Sequence, residues 1–169
     1  MLQELLYKLA IRSVKGDTNI TIGSLHTDSR SVKSGGCFIA VKGTATDGHS
    51  YIDQAIQNGA VAIVCQQLPS AFKDQVTYVQ VDNSAIAAGM IAHKFYGEPS
   101  NSFKLVGVTG TNGKTTIATL LFKLFTSLGY QCGLVSTVQI QVGENIIPAT
   151  HTTPDAITLN HLLQQMKEA

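Results

Sequence analysis

The chain has 169 residues, 44% of them hydrophobic and 14% charged, with a formal net charge of +1. That composition supports a buried core and excludes a disordered polymer, and near-neutrality without a basic block gives nucleic acid no electrostatic footing. Three scattered cysteines, Cys37, Cys65 and Cys132, are odd in number and lack metal-ligand spacing, which predicts reduced core thiols in a cytoplasmic protein.

In chain order, residues 1–10 place Leu2, Leu5, Leu6 and Leu9 on one face of a predicted amphipathic helix, which is not a signal peptide. No apolar run is long enough to span a bilayer. Ile20 and Ile22 alternate with threonines, and residues 37–41 form an apolar run bounded by glycines, the pattern of a buried strand. A helix is expected over 51–58, stopped by Gly59, and strands over 61–65 and 78–81. Asp82, Asn83 or Ser84 is placed to cap a helix carrying Ile86, Ala87, Met90, Ile91 and Phe95. Residues 98–102, Glu-Pro-Ser-Asn-Ser, read as a linker.

Beyond the linker comes the densest signal. Leu105, Val106 and Val108 predict a strand that runs into Gly110, Thr111, Asn112, Gly113, Lys114, Thr115 and Thr116. A helix pattern with Ile117, Leu120, Leu121, Leu124, Phe125 and Leu128 on one face follows at once. Strand, glycine-rich loop and helix N-terminus together form a phosphate cradle: inward N–H groups and the helix dipole favour an anion. Lys114 is then the residue for the β- and γ-phosphates, and Thr115 the hydroxyl for Mg²⁺. The spacing is shorter than the general phosphate loop, since Val108 stands where that pattern wants glycine. The plain alternative is that Gly110 merely closes a strand. A strand at 131–135, a hairpin around residues 143–145 and a helix from Asp155 to about Met166 complete the chain. The fold class is therefore α/β: a small N-terminal α/β domain (1–97), the linker, and a phosphate-loop domain of the doubly wound kind (103–169). With 67 residues, the second domain looks cut short.

Two further polar groups stand out. Thr27-Asp28-Ser29-Arg30 and residues 42–49, which include Thr44, Ala45, Thr46, Asp47, Gly48 and His49, suit close approach to a polar ligand, or else ordinary turns and helix caps. Thr27 and Ser29 would face the same way on an extended backbone. His49 lacks a partner at ligand spacing and reads as a surface or capping residue. His151, Thr152 and Thr153 precede Pro154 and Asp155; Thr153 is a natural N-cap with Pro154 at the first helical position, or the three present hydrogen bonds to an anionic substrate.

Taken together, Gly-Val-Thr-Gly-Thr-Asn-Gly-Lys-Thr-Thr resembles the ATP loop of the Mur ligases and the related folylpolyglutamate synthases. Asp28-Ser29-Arg30, residues 35–40, Gly43, Asp47-Gly48-His49, Ala55 and Gly59-Ala60 are similar to the N-terminal UDP-binding domain of two Mur ligases, and Thr152-Thr153-Pro154-Asp155 favours the one that adds the third peptide residue. The resemblance implies ATP-driven amide formation through an acyl phosphate, with ATP and Mg²⁺ required, and with a UDP-N-acetylmuramoyl dipeptide and an amino acid as partners of a monomer. It places Thr27, Ser29, Thr44, Ala45 and Thr46 on the UDP portion. His151, Thr152 and Thr153 fall on the muramoyl substrate, Gly110 to Thr116 on ATP, and Lys114 on the transferred phosphoryl group. Family members continue with a further Mg²⁺ ligand, a modified lysine and a C-terminal domain, so the expectation is a fragment that binds without completing ligation. The open alternatives are a nucleotide-sugar binding module or the dipeptide-adding Mur ligase.

Overall fold

The computed structural model describes residues 1–169 except 44, 45, 144 and 150–153. The chain divides into two compact units, Met1–Phe95 and Tyr96–Ala169.

The first unit opens with a single short helix, α1 (Leu2–Leu5). It ends far earlier than the leucine spacing predicts, because Lys8 turns the backbone to φ 66° and the chain leaves as a strand, β1 (Ile11–Lys15). The orphan amides of α1 are satisfied from outside the helix: Leu2 N–H donates to the Ile20 carbonyl (2.8 Å) and Gln3 N–H to that of Thr18 (3.0 Å). The Thr18 and Ile20 carbonyls are thus spent on docking α1, the alternating residues 20–22 lie outside any strand, and the next strand is β2 (Ser24–His26). After β3 (Gly36–Ile39) come a 3₁₀ turn (Gly48–Tyr51), α2 (Ile52–Gln57), β4 (Ala60–Cys65), β5 (Thr77–Val81) and α3 (Ser84–Phe95). Of the three candidate caps for α3, the structure selects Asn83, whose Oδ1 accepts from the Ala85 and Ile86 amides, both at 3.0 Å.

These strands form one five-stranded sheet in the order β1-β5-β4-β3-β2, with β2 to β5 parallel and β1 antiparallel at the edge. The inner parallel strands β3 and β4 are buried on both faces, which is why their sequences read as continuous apolar runs, whereas the edge strand β2 buries only Leu25. Phe38, Ala40, Ile63 and Cys65 point to one side, where Ile52, Ala55 and Tyr78 complete a core. Cys37, Ile39, Val64 and Val79 are equally buried on the other. β1 carries no such signature, because every residue of this edge strand is exposed.

The second unit begins with a 3₁₀ turn (Pro99–Asn101) and contains α4 (Lys114–Ser127), β6 (Leu134–Val135), β7 (Gln139–Val142), β8 (Asn145–Pro148) and α5 (Ala156–Glu168). β6, β7 and β8 form an antiparallel sheet, with the expected hairpin between β7 and β8. Ile140, Val142 and Leu162 pack together with Val135 and Met166 at their side. α5 (from Ala156) is capped by Asp155, whose Oδ1 accepts from Ile157 N–H (2.9 Å) and Thr158 N–H (3.1 Å), so the cap lies two residues beyond the predicted Thr153. Asp155 wins because its two carboxylate oxygens serve both amides and the Thr158 hydroxyl (2.6 Å).

A further element departs from expectation. Residues 104–109 form no strand, and Leu105 and Val106 are 60% and 65% exposed. A strand is a paired structure, and β-branched propensity cannot create one where no strand among the described residues supplies the ladder. The following helix is affected in the same way: none of the residues of α4 is buried, and its apolar face with Leu120, Leu124 and Leu128 is open.

Candidate functional site

In the second unit the loop before α4 has the backbone that its glycines predict. Gly110 and Gly113 sit at φ 148° and 77°, values that side chains resist, and the left-handed Gly113 is the N-cap. Gly113 brings no side chain to cap α4, so among the described residues its first-turn amides and dipole are available to an anion. Lys114 opens the helix and folds back over the loop, its ammonium donating to the Gly110 carbonyl (2.6 Å) and the Thr111 carbonyl (3.3 Å). Thr115 is half-buried, with its hydroxyl 3.1 Å from that of Thr137, a neighbour 22 residues away that no local pattern marks. Thr111, Asn112 and Thr116 are exposed.

In the first unit, the polar groups gather at the carboxyl ends of parallel strands, where open α/β sheets bind their ligands. β2 ends at His26, and Thr27, half-buried, follows it. The chain then tightens into a 3₁₀ turn (Ser29–Ser31) capped by Asp28, whose Oδ1 accepts from Arg30 N–H at 3.0 Å. This turn ends the extended alternation, so Thr27 and Ser29 do not share a strand face. Ser29 is only 4% exposed, its hydroxyl donating to Gln54 Oε1 (2.6 Å) and its carbonyl accepting from Asn58 Nδ2 (2.8 Å). The Arg30 guanidinium bonds to the Asp28 carboxylate, with 2.7 Å from Nη2 to Oδ2. That side-chain bond, then the Arg30 backbone bond, holds the Asp28 carboxyl down at about 2.

His26 was not singled out from the sequence. Its ring lies between the hydroxyls of Ser24 (2.8 Å) and Ser31 (3.1 Å). Burial, then the charge of Lys33, lowers its pKa and favours a neutral ring. Beyond β3, Lys42 and Asp47 bridge, Gly43 N–H donates to the Thr46 carbonyl (2.9 Å), and Thr46 is exposed. Thr44, Ala45, His151, Thr152 and Thr153 lie outside the described residues. Among the described residues, no group of three or more His, Cys, Asp or Glu side chains is arranged to hold a metal ion, and no helix is long and apolar enough to cross a membrane.

Comparison with known proteins assigns this arrangement to a family. Residues 21–96 match the description "Mur ligase family, catalytic domain", and residues 108–169 match "Mur ligase middle domain". The chain belongs to the Mur ligase family. Over 99% of its length this Mur ligase chain is 52% identical to the UDP-N-acetylmuramoyl-L-alanyl-D-glutamate--2,6-diaminopimelate ligase of Bacteroides thetaiotaomicron, and 51% identical to the ligase of the same name from Cytophaga hutchinsonii. It spans about a third of the length of these relatives, 35% of each. A solved structure of a ligase with that name shares the fold, with a TM-score of 0.71 and 23% identity, over 99% of this chain and 33% of the other. MurF from Acinetobacter baumannii does so at a TM-score of 0.60 and 19% identity, over 98% of this chain and 32% of the other.

Proposed function

We propose that this Mur ligase chain supplies the UDP-substrate and ATP-binding parts of a ligase that joins diaminopimelate to UDP-N-acetylmuramoyl-L-alanyl-D-glutamate. The observation that carries the reading is about 50% identity over 99% of the chain to proteins bearing that name. The loop geometry agrees with it. Phosphoryl transfer asks the protein mainly for positioning and charge neutralisation. Gly110, Thr111, Asn112 and Gly113 would surround the ATP phosphates with backbone amides, and the α4 N-terminus would add its dipole, with Thr116 in the first turn. Lys114 would leave its two loop carbonyls for the β- and γ-phosphates and offset charge as the γ-phosphoryl group passes to the substrate carboxylate. The resulting acyl phosphate is open to attack by the incoming amine.

Thr115 suits a Mg²⁺ role as one neutral oxygen ligand beside phosphates and water, which matches the sparse protein ligation this ion accepts. When bound, the ion would neutralise phosphate charge. On the substrate side, Thr27, Thr46 and, by position, Thr44 and Ala45 would meet the UDP portion. Ser29 would act by fixing the turn that carries Asp28 and Arg30, since its own hydroxyl is engaged with Gln54. His151, Thr152 and Thr153 would meet the muramoyl peptide.

Titration calorimetry of this chain with UDP-N-acetylmuramoyl-L-alanyl-D-glutamate, and separately with ATP and Mg²⁺, tests the reading. Saturable heat with the UDP compound is expected, as is loss of the ATP signal in Lys114→Ala. Absence of any UDP-compound binding would overturn the assignment of the first unit.

A further inference from the structure

Asp47, Gly48 and His49 form a joint between two strand ends. Asp47 Oδ1 accepts from the His49 backbone N–H at 3.0 Å and lies 2.6 Å from ring Nδ1. On the other side of the ring, Nε2 accepts from the backbone N–H groups of Gln66 (2.9 Å) and Gln67 (3.3 Å), the residues that follow β4. Two amide donors require a lone pair on Nε2, so the ring proton sits on Nδ1 and is donated to Asp47. The imidazole is thus a spacer of fixed tautomer, with a side chain only 13% exposed.

Both ends of the spacer are held. Asp47 closes the turn that bridges back to Lys42. Gln66 is clamped three times: its side-chain amide donates to the Asp82 carbonyl (3.2 Å) and accepts from the Ser84 hydroxyl (3.0 Å), and its own carbonyl accepts from Gln80 Nε2 (3.1 Å). Gly48 leaves no slack between them, because a Cβ there would stand 2.8 Å from the Val41 carbonyl oxygen and 2.9 Å from the Val41 nitrogen. A surface histidine needs none of this.

We propose that His49 is a positioning residue for nucleoside-diphosphate binding. It ties Asp47, and with it the exposed Thr46 of the turn, to the end of β4, so that the ligand meets Thr46 already held in place. The proposal rests on the reading that this turn holds the UDP portion.

The test uses this chain with UDP as the calorimetric probe. His49→Ala is expected to weaken UDP binding about tenfold or more, given two lost backbone bonds and one to a carboxylate. Faster amide exchange should be confined to residues 42–49, 66 and 67. In His49→Gln, Oε1 replaces Nε2 as acceptor for the two amides, so most of the affinity should return. In the unsubstituted chain, nitrogen NMR should show Nε2 unprotonated and Nδ1 protonated, a readout independent of whether any variant folds. Unprotonated Nδ1, UDP binding within about twofold of the parent in His49→Ala, or a Gln variant as weak as the Ala variant would each overturn the proposal. If the unsubstituted chain shows the predicted tautomer but binds no UDP, the assignment of the turn to UDP fails, and the proposal falls with it.

Discussion

Asp28 shows how a single short loop sets the chemistry of a side chain. Its carboxyl is held at about 2, against an ordinary 3.8, first by the side-chain bond from Arg30 and then by the Arg30 backbone N–H. A carboxyl lowered in the folded state adds stability that is complete above the unfolded value and is lost as pH falls from near 3.8 through about 2. The pair is exposed, so the energy is small. The titration itself is the clean observable: carbon NMR of the Asp28 carboxyl should give a midpoint well under 3.8, and Arg30→Ala should move it only part of the way back, because the backbone donor remains. The thiols respond in the opposite sense. Burial pushes Cys37 up to about 12 and Cys65 up to about 11 from 9.0. Iodoacetamide at mild alkaline pH should therefore modify half-buried Cys132 while Cys37 and Cys65 resist until the chain unfolds. The neutral buried thiols favour the folded state below pH 9 and lose that advantage above it, where the unfolded chain ionises first.

At the scale of elements, the turn after β3 is fixed by close backbone approach more than by propensity. Gly48 lies against Val41 backbone atoms at distances no Cβ tolerates, so Gly48→Ala must displace the strand or the 3₁₀ turn. A cost of about 1–3 kcal/mol is expected, read as a lower urea midpoint at unchanged slope. The same element shows what sequence reading could reach. Asp47-Gly48 was legible as a turn from local chemistry. The role of His49 was not, because its partners at Gln66 and Gln67 lie 17 and 18 residues away and are backbone amides, which carry no residue identity. Ser29 teaches a related lesson. A short hydroxyl beside a strand end marks a ligand contact in sequence, yet here its partner is Gln54, 25 residues on.

The two units differ in how far their apolar residues are covered. In the first, Phe38 is fully buried in a core built from both sides of a parallel sheet. In the second, the α4 face is open, with Leu120 61% exposed. The expected consequence is a contrast between two substitutions of similar chemical size. Phe38→Ala should cost about 3–5 kcal/mol, whereas Leu120→Glu should stay within about 0.5 kcal/mol in this chain and raise its solubility. Chemical denaturation of both variants beside the parent checks the pair; equal losses would refute the difference in burial.

Some properties of this Mur ligase chain follow from local sequence alone. The glycine conformations around Lys114, the helix after them and the apolar runs of β3, β4 and β5 are short-range matters of backbone sterics and side-chain periodicity. Tertiary structure decided what depends on a distant partner. It set β1 antiparallel to β5 on an exposed edge, chose Asn83 and Asp155 among competing caps, and tied His49 to the end of β4. It also left residues 104–109 without a ladder despite their strand-forming composition. The physical reason is common to all of these: strand pairing and buried hydrogen bonds are made between residues far apart in sequence, and local propensity does not specify which donor meets which acceptor.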